Sequence, residues 1–311
     1  MMPDRFGALE ADYFALQYTL LFPHLTHNRI VLLDFSKTTF IDSCGIGALI
    51  KVLKHSKEKA IELAVIHPGE QVCAVLKMTG LEHLFIHDNK SQLETVSEPE
   101  FNKSALPETH PSVTSIKKRV IDILGSSIGL LILSVLFVPI ALAIKLESRG
   151  PLFFQQTRMG WLGSQFKIFK FRTMIDNAEA YKHTIKNEAK GAIFKNANDP
   201  RITRVGNFLR QTSLDELPQF WNVLEGSMSL VGTRPPTLDE TTKYSVLQWQ
   251  RLDVRPGITG EWQVSGRSMI KSFDEIIQMD MDYQNKWSPW YDLKLLIKTI
   301  QVVFSKANGA L

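Results

Sequence analysis

Asp215 and Glu216 stand side by side in the run TSLDELPQ, two carboxylates where a helix should begin. One reading of them is structural: Ser213 and Glu216 have the S-x-x-E spacing of a capping box, and acids are favoured at a helix N-terminus. The other is chemical. An acid that attacks phosphorus, or holds a divalent cation, works best among guanidinium groups that grip the non-bridging oxygens. The sequence supplies them, with Arg201, Arg204 and Arg210 just upstream in DPRITRVGNFLR, and Arg234 of GTRPP and Arg267 of VSGR downstream. Any one of these arginines is an ordinary surface charge; only the set suits phosphoryl transfer. Helix N–H groups near residue 215 would add an anion site.

Two more stretches fit a phosphate pocket. FKFRTM (Phe169–Met174) alternates aromatics with Lys170 and Arg172, as a strand does when it buries one face and presents charge on the other. VRPGITGEWQVSGR (Val254–Arg267) combines Pro and Gly turns with Arg255 and Arg267, a loop that a ligand could approach closely. A half-exposed structural strand explains the first equally well. The sequence has no GxxxxGK[ST], HExxH or GxSxG, which removes the P-loop, zincin and α/β-hydrolase readings. The net charge of +4 suits anionic lipid or phosphate. Nucleic acid is not expected, because no helix-turn-helix, zinc-finger or RNP-like pattern accompanies the charge. The two cysteines, Cys44 and Cys73, lack CxxC or zinc-ligand spacing and suggest a reduced, cytosolic setting. The N-terminal residues show no cleavable signal pattern.

The elements that must carry these residues can be read from hydrophobic pattern. Ile123–Ile144 is an uncharged run of about 22 residues, roughly 33 Å if helical. Lys117, Lys118 and Arg119 precede it, and Lys145 and Arg149 follow, so neither end is marked for export. Pro139 interrupts the hydrogen-bond ladder inside it. A helix that enters the bilayer, bends and returns satisfies both observations; a spanning helix with a proline kink is the alternative. Tyr291–Phe304 is either an interfacial helix with Lys294 and Lys298 towards headgroups or a buried core helix.

Before the membrane segment, Arg29–Phe35 and Ile61–His67 read as buried strands and Leu84–Asp88 as a third. Gly45–Ala60, with Ile46, Leu49, Ile50 and Leu53 on one side, and Glu70–Met78 read as helices. This alternation gives an α/β unit. Within it, IDSCGIG follows a strand and opens a helix, leaving Ser43 exposed at the helix start, where a phosphate would be tolerated; a plain N-cap serine is the alternative. The expected organisation is an α/β module over 1–92, a Pro/Ser/Thr/Glu-rich linker over 93–115, a re-entrant membrane helix over 116–149 and a cytosolic α/β catalytic domain over 150–311.

From Lys117 onward the chain resembles the monotopic phosphoglycosyl transferases, the bacterial sugar transferases that initiate glycan assembly. KKRVIDI, GPLFFQQTRMG, FKIFKFRTM, DPRITRVGNFLRQTSLDELPQFWNVLEGSMSLVGTRP, VRPGITGEWQVSGR and WSPWYDLK carry the likeness over about 195 residues. The resemblance implies a re-entrant helix beneath a cytosolic α/β domain, both domains lying on the cytosolic face of the bacterial inner membrane. It implies that Asp215 attacks the sugar-proximal phosphate of a UDP-sugar, UDP-glucose or UDP-galactose, releasing UMP. The aspartyl phosphosugar then passes to undecaprenyl phosphate in exopolysaccharide, capsule or O-antigen assembly. It further implies that Glu216 holds Mg²⁺, that Arg234 and Arg267 bind phosphate, and that Lys170, Arg210 and Asp292 are polar positions around the site. Thr233, Ser227 and Glu261 depart from the usual pattern without removing a catalytic group. The stretch Gly191–Asn198 looks like the glucose- or galactose-phosphate branch.

The first module resembles a STAS domain, the fold of anti-sigma-factor antagonists, in VLLDFSKTTFIDSCGIGALI and VLKMTGLEHLF. That likeness makes Ser43 a candidate phosphorylation site and the module a regulatory or docking element. A kinase or anti-sigma-like partner and a homodimer are the implied associations. Little room remains before Arg29 for the usual initial strands. A regulatory protein built on a degenerate transferase is the rival reading, and the intact Asp215–Glu216 pair argues against it.

Overall fold

The computed structural model describes residues 1–21, 30–85, 103–188, 192, 194, 196, 198–265, 270 and 272–304. Two compact units form, neither continuous in sequence: 1–109 with 161–165 and 244–253, and 110–160 with 166–243 and 254–311.

The first unit runs β1 (Arg5–Phe6), α1 (Ala8–Leu21), β2 (Ile30–Asp34), β3 (Phe40–Ile41), α2 (Ser43–Glu58), β4 (Glu62–Ile66) and α3 (Glu70–Met78). The β-branched runs of β2 and β4 pair in parallel from Ile30 opposite Glu62 to Asp34 opposite Ile66. The N-terminal stretch, too short in sequence to announce strands, supplies β1, which pairs in parallel with β3. It also supplies α1, which buries Ala11, Ala15 and Tyr18. Asp42 caps α2, its carboxylate accepting from Gly45 N at 3.0 Å. The buried stripe of α2 is Ile46, Leu49 and Val52; the expected Ile50 and Leu53 lie only half-buried beside it. The expected strand at 84–88 is reduced to a single bridge between Phe85 and Val65, and 86–88 lie outside the described residues. Part of the expected linker is ordered, as a 3₁₀ turn at Lys103–Ala105 and a helical turn at Pro111–Thr114.

The second unit opens with α4 (Ile116–Glu147), a helix of 32 residues with Pro139 inside it. At 1.5 Å per residue that is roughly 48 Å of helix. Its middle is apolar and uncovered, with Leu124, Ile128, Leu131, Val135, Val138 and Leu142 all exposed. A water-soluble chain would bury such a stripe. Both ends are tied to the same unit. At the start, Lys118 is buried against Asp292, and Arg119 donates to the Val223 and Leu224 carbonyls. At the end, Ile140 and Ile144 pack with Phe171 and Leu209, while Arg172 donates to the carbonyls of Ser148 and Arg149. One long apolar helix with a proline within it and both ends on one unit is consistent with a re-entrant membrane helix.

After α4 come β5 (Phe153–Met159) and β6 (Gln165–Phe171), which share a sheet, then α5 (Arg204–Gln211) and α6 (Gln219–Glu225). β7 (Ser229–Val231), α7 (Leu238–Thr241), β8 (Gly257–Thr259), α8 (Phe273–Lys286) and α9 (Pro289–Phe304) complete the unit. β7 and β8 pair in parallel. Ile168, Val223, Met228, Val231, Val254 and Leu295 form the core between these elements. α9 is neither wholly buried nor wholly free: Leu295 is in the core, while Trp290, Leu293, Ile297 and Ile300 are exposed.

Candidate active site

α5 and α6 do not join directly. Between them Ser213 takes a left-handed backbone, φ 56°, and Leu214–Glu216 form a single 3₁₀ turn. A non-glycine residue there is strained by order 1–3 kcal/mol, and such strain gathers at functional sites. The turn aims Asp215 and Glu216 out of the helical register. The capping-box alternative is not realised: Ser213 makes no side-chain cap, and the Glu216 carboxylate pairs instead with Lys170 Nζ at 2.8 Å. Asp215 is buried, 7% exposed.

Lys170 comes from β6, and the end of that strand also fixes Arg210. Gly206 allows this, because a Cβ there would run into the Thr173 carbonyl as α5 crosses the strand end. Arg210, one turn along, then donates from Nε to Thr173 Oγ1 at 2.9 Å. Burial pushes the Arg210 guanidinium below its ordinary value, while the charges of Asp215, Asp199 and Glu216 oppose that shift. It stays cationic. Asp215, Glu216, Lys170 and Arg210 therefore form one charged cluster.

The other expected phosphate ligands divide. Arg201 is buried and forks onto Asp199, with Nη2 to Oδ2 at 2.7 Å, and holds its carboxyl below the usual range even though burial pushes it up. Its charge reaches Arg210, but its guanidinium is engaged. Arg172, expected in the pocket, instead clamps the end of α4. Arg204 opens α5 on the exposed surface, its N–H donating to Glu147 at 2.7 Å. Arg255 is half-buried, and burial, then the charge of Arg119, push its guanidinium below its ordinary value. Asp292 accepts from Lys118 Nζ at 2.6 Å, Tyr283 hydroxyl at 2.8 Å and Trp287 Nε1 at 3.2 Å. It ties the start of α4 to α9. Arg267 and part of 191–198 lie outside the described residues. Sequence reasoning missed Asp199 and Glu240, the carboxylates that hold Arg201 and Arg234; the D-x-R spacing of Asp199 and Arg201 was the available signal.

Arg234 lies between β7 and α7, its Nη1 2.9 Å from Glu240 Oε2. Glu240 closes a capping box with Thr237. Burial raises its pKa, but Arg234 and the Thr237 N–H more than reverse this, to about 2. A depressed carboxyl stabilises the fold above its unfolded pKa and loses that contribution as pH falls through the folded value. Glu240→Gln should therefore cost about 3 kcal/mol at pH 7, at 1.36 kcal/mol per unit, with the deficit closing between pH 4.5 and 2. Thermal melts of both proteins across that window check it; a pH-independent deficit would contradict it.

Ser43, expected to be exposed, is fully buried at the start of α2. Its N–H donates to Asp253 Oδ1 at 3.1 Å, and its hydroxyl has no hydrogen bond of normal geometry. In this arrangement it is not presented to a kinase. The reason is tertiary: segment 244–253 covers the helix start, which local sequence could not reveal.

A carboxylate pair on a strained turn thus lies with Lys170 and Arg210 in the unit that carries the long uncovered apolar helix. The bacterial sugar transferase profile matches residues 113–306, and the chain belongs to that family. Residues 18–96 match the STAS domain. The chain is 50% identical over 190 residues to the galactosyl transferase CpsE of Streptococcus agalactiae, covering 60% of this chain and 42% of that protein. It is 40% identical over 195 residues to the UDP-glucose:undecaprenyl-phosphate glucose-1-phosphate transferase of Escherichia coli, covering 60% and 40%. The exopolysaccharide production protein ExoY of Rhizobium meliloti is 38% identical over 226 residues, covering 69% of this chain and 96% of ExoY. The chain thus spans about two fifths of the first two relatives and nearly all of the third.

Proposed function

We propose that this protein transfers a hexose 1-phosphate from UDP-glucose or UDP-galactose to undecaprenyl phosphate, releasing UMP and starting assembly of an exopolysaccharide-type glycan. The observation that carries the reading is Asp215 on its left-handed turn, beside Glu216 paired to Lys170 and within the field of Arg210. The names of the relatives, glucose-1-phosphate and galactose phosphotransferases among them, support the donor class.

A carboxylate oxygen of Asp215 attacks the sugar-proximal phosphorus. The new O–P bond forms as the bond to the bridging oxygen breaks, and UMP leaves with that oxygen. A phosphate oxygen of undecaprenyl phosphate then attacks the same phosphorus, and the Asp215 carboxylate is regenerated. Lys170 and Arg210 neutralise charge on the transferring group. Glu216, 18% exposed and adjacent to the nucleophile, is the residue that would hold Mg²⁺. Magnesium sites on phosphates typically use one or two protein carboxylates, which this donor set supplies. When bound, the ion would neutralise the diphosphate.

The acceptor is a lipid, and α4 accounts for access to it: a re-entrant helix on the cytosolic face of the inner membrane would place the site at headgroup depth. The test is UMP release by nanodisc-reconstituted protein with a panel of UDP-sugars, Mg²⁺ and undecaprenyl phosphate. Release with one or two hexose donors is expected, with ping-pong kinetics. Folded protein that releases UMP from none of them would overturn the reading and favour a regulatory protein on a degenerate transferase.

A further inference from the structure

Segment 244–253 lies within the residues matched by the sugar transferase family yet belongs structurally to the first unit. It lies on the first turns of α2. Trp249 packs flat against Gly47, where any Cβ would collide with the indole. The Leu247 carbonyl lies 4.0 Å from Cys44 Sγ, and Asp253 Oδ1 accepts the Ser43 N–H. Thr109 Oγ1 donates to the Asp253 carbonyl at 2.6 Å and itself accepts from Trp161 Nε1 at 2.8 Å. Trp249, Arg251 and Leu252 are buried as fully as core residues. We infer that the N-terminal turn of α2 is a docking seat whose occupant is the chain's own segment 244–253, and that holding this segment in register is what the STAS domain contributes to the transferase.

Chain continuity gives the seat its consequence. Glu240, which grips Arg234, precedes the segment by four positions, and Arg255 follows it by two. Beyond Arg255, the Gly257 N–H bonds the Thr233 carbonyl at 2.8 Å, next to Arg234. Segment 244–253 is thus continuous in sequence with both stretches that carry these two arginines. The contact is electrostatically poised as well. Burial, then the neighbouring Asp42 charge, push the Asp253 carboxyl up to about 7, against the opposing pull of the Ser43 N–H and side chain. A second carboxylate at residue 43 would add like charge in a buried place.

The test uses full-length protein in nanodiscs with Cys73→Ser, so that Cys44 is the single thiol. The inference rests on the proposed reaction only for its activity readout; thiol labelling and hydrogen exchange do not depend on it. Cys44 should label slowly with N-ethylmaleimide, and peptides over 244–253 should be protected from exchange. Ser43→Asp should speed labelling at least tenfold, remove that protection and lower UMP release. Adding Asp253→Asn, which removes the like charge and keeps the acceptor, should restore all three. Trp249→Ala should expose Cys44 while residues 50–58 of α2 stay protected. Unchanged labelling in both variants, or no rescue by Asp253→Asn, would overturn the seat. So would loss of α2 protection in Trp249→Ala, because the segment would then be part of the module's fold. Asp215→Asn should leave labelling untouched. Absent UMP release with the labelling pattern intact would defeat the enzymatic reading and spare the seat.

Discussion

Asp215→Asn is expected to lower UMP release by at least about 10⁴-fold, the scale on which loss of a covalent nucleophile is felt. Asparagine matches aspartate in size, so the buried turn and the left-handed Ser213 keep their geometry. What disappears is the anionic oxygen that forms the bond to phosphorus. The substitution also removes one of the negative charges around half-buried Arg210, but the charges of Asp199 and Glu216 still act on that guanidinium, so the fold should survive. The measurement is UMP release alongside a thermal melt of the same preparation. Retention of more than a few per cent of turnover by a folded variant would remove Asp215 as the nucleophile. Should Asp215→Asn fail to fold, Asp215→Glu, charged but longer, is expected to fold and remain slow, and a folded, fully active Asp215→Glu would remove Asp215 as the nucleophile.

The second large effect is on stability. Lys118→Met should destabilise the transferase unit by about 3–5 kcal/mol, because removing one partner of a buried ion pair strands the other charge. The stranded group is Asp292, 1% exposed. Lys118 Nζ also donates to the Val231 carbonyl at 2.8 Å, so β7 loses a bond as well. Tyr283 and Trp287 would continue to donate to Asp292 and soften the loss. Asp292→Leu in the same background should recover part of the deficit, since an apolar pair replaces a lone charge. Thermal melts of the two single variants and the double variant close the cycle; strictly additive losses would show that the pair is not coupled. This pair ties the N-terminal end of the apolar helix to α9, so the variants should also weaken retention in nanodiscs before they alter the chemistry of the site.

The sequence alone placed the candidate acids and the apolar helix that accompanies them. Asp215 and Glu216 in a field of arginines, the uncharged run ending in basic residues, and Pro139 within it are local facts of residue type and spacing. The structure keeps the acid pair, the apolar run and Pro139, and the strand and helix assignments around Arg29–Phe35, Gly45–Ala60 and Ile61–His67 follow from the same periodicity. Only the tertiary structure decided which arginine lies with the acids. Arg172 and Arg201 look identical to Arg210 in sequence, yet they are engaged by the α4 terminus and by Asp199, because a guanidinium goes to whichever carbonyl or carboxylate the fold delivers. The same holds for the Ser213–Glu216 spacing, where the capping box lost to Lys170 arriving from a distant strand, and for Asp292, occupied by Lys118 from far along the chain. Ser43 shows the limit most plainly. Its local signature is that of an exposed helix start, and what buries it is a segment some two hundred residues later. Covalent neighbours set propensity and charge, but burial and partner choice are non-local, and those are what turned a list of candidate ligands into one cluster around Asp215.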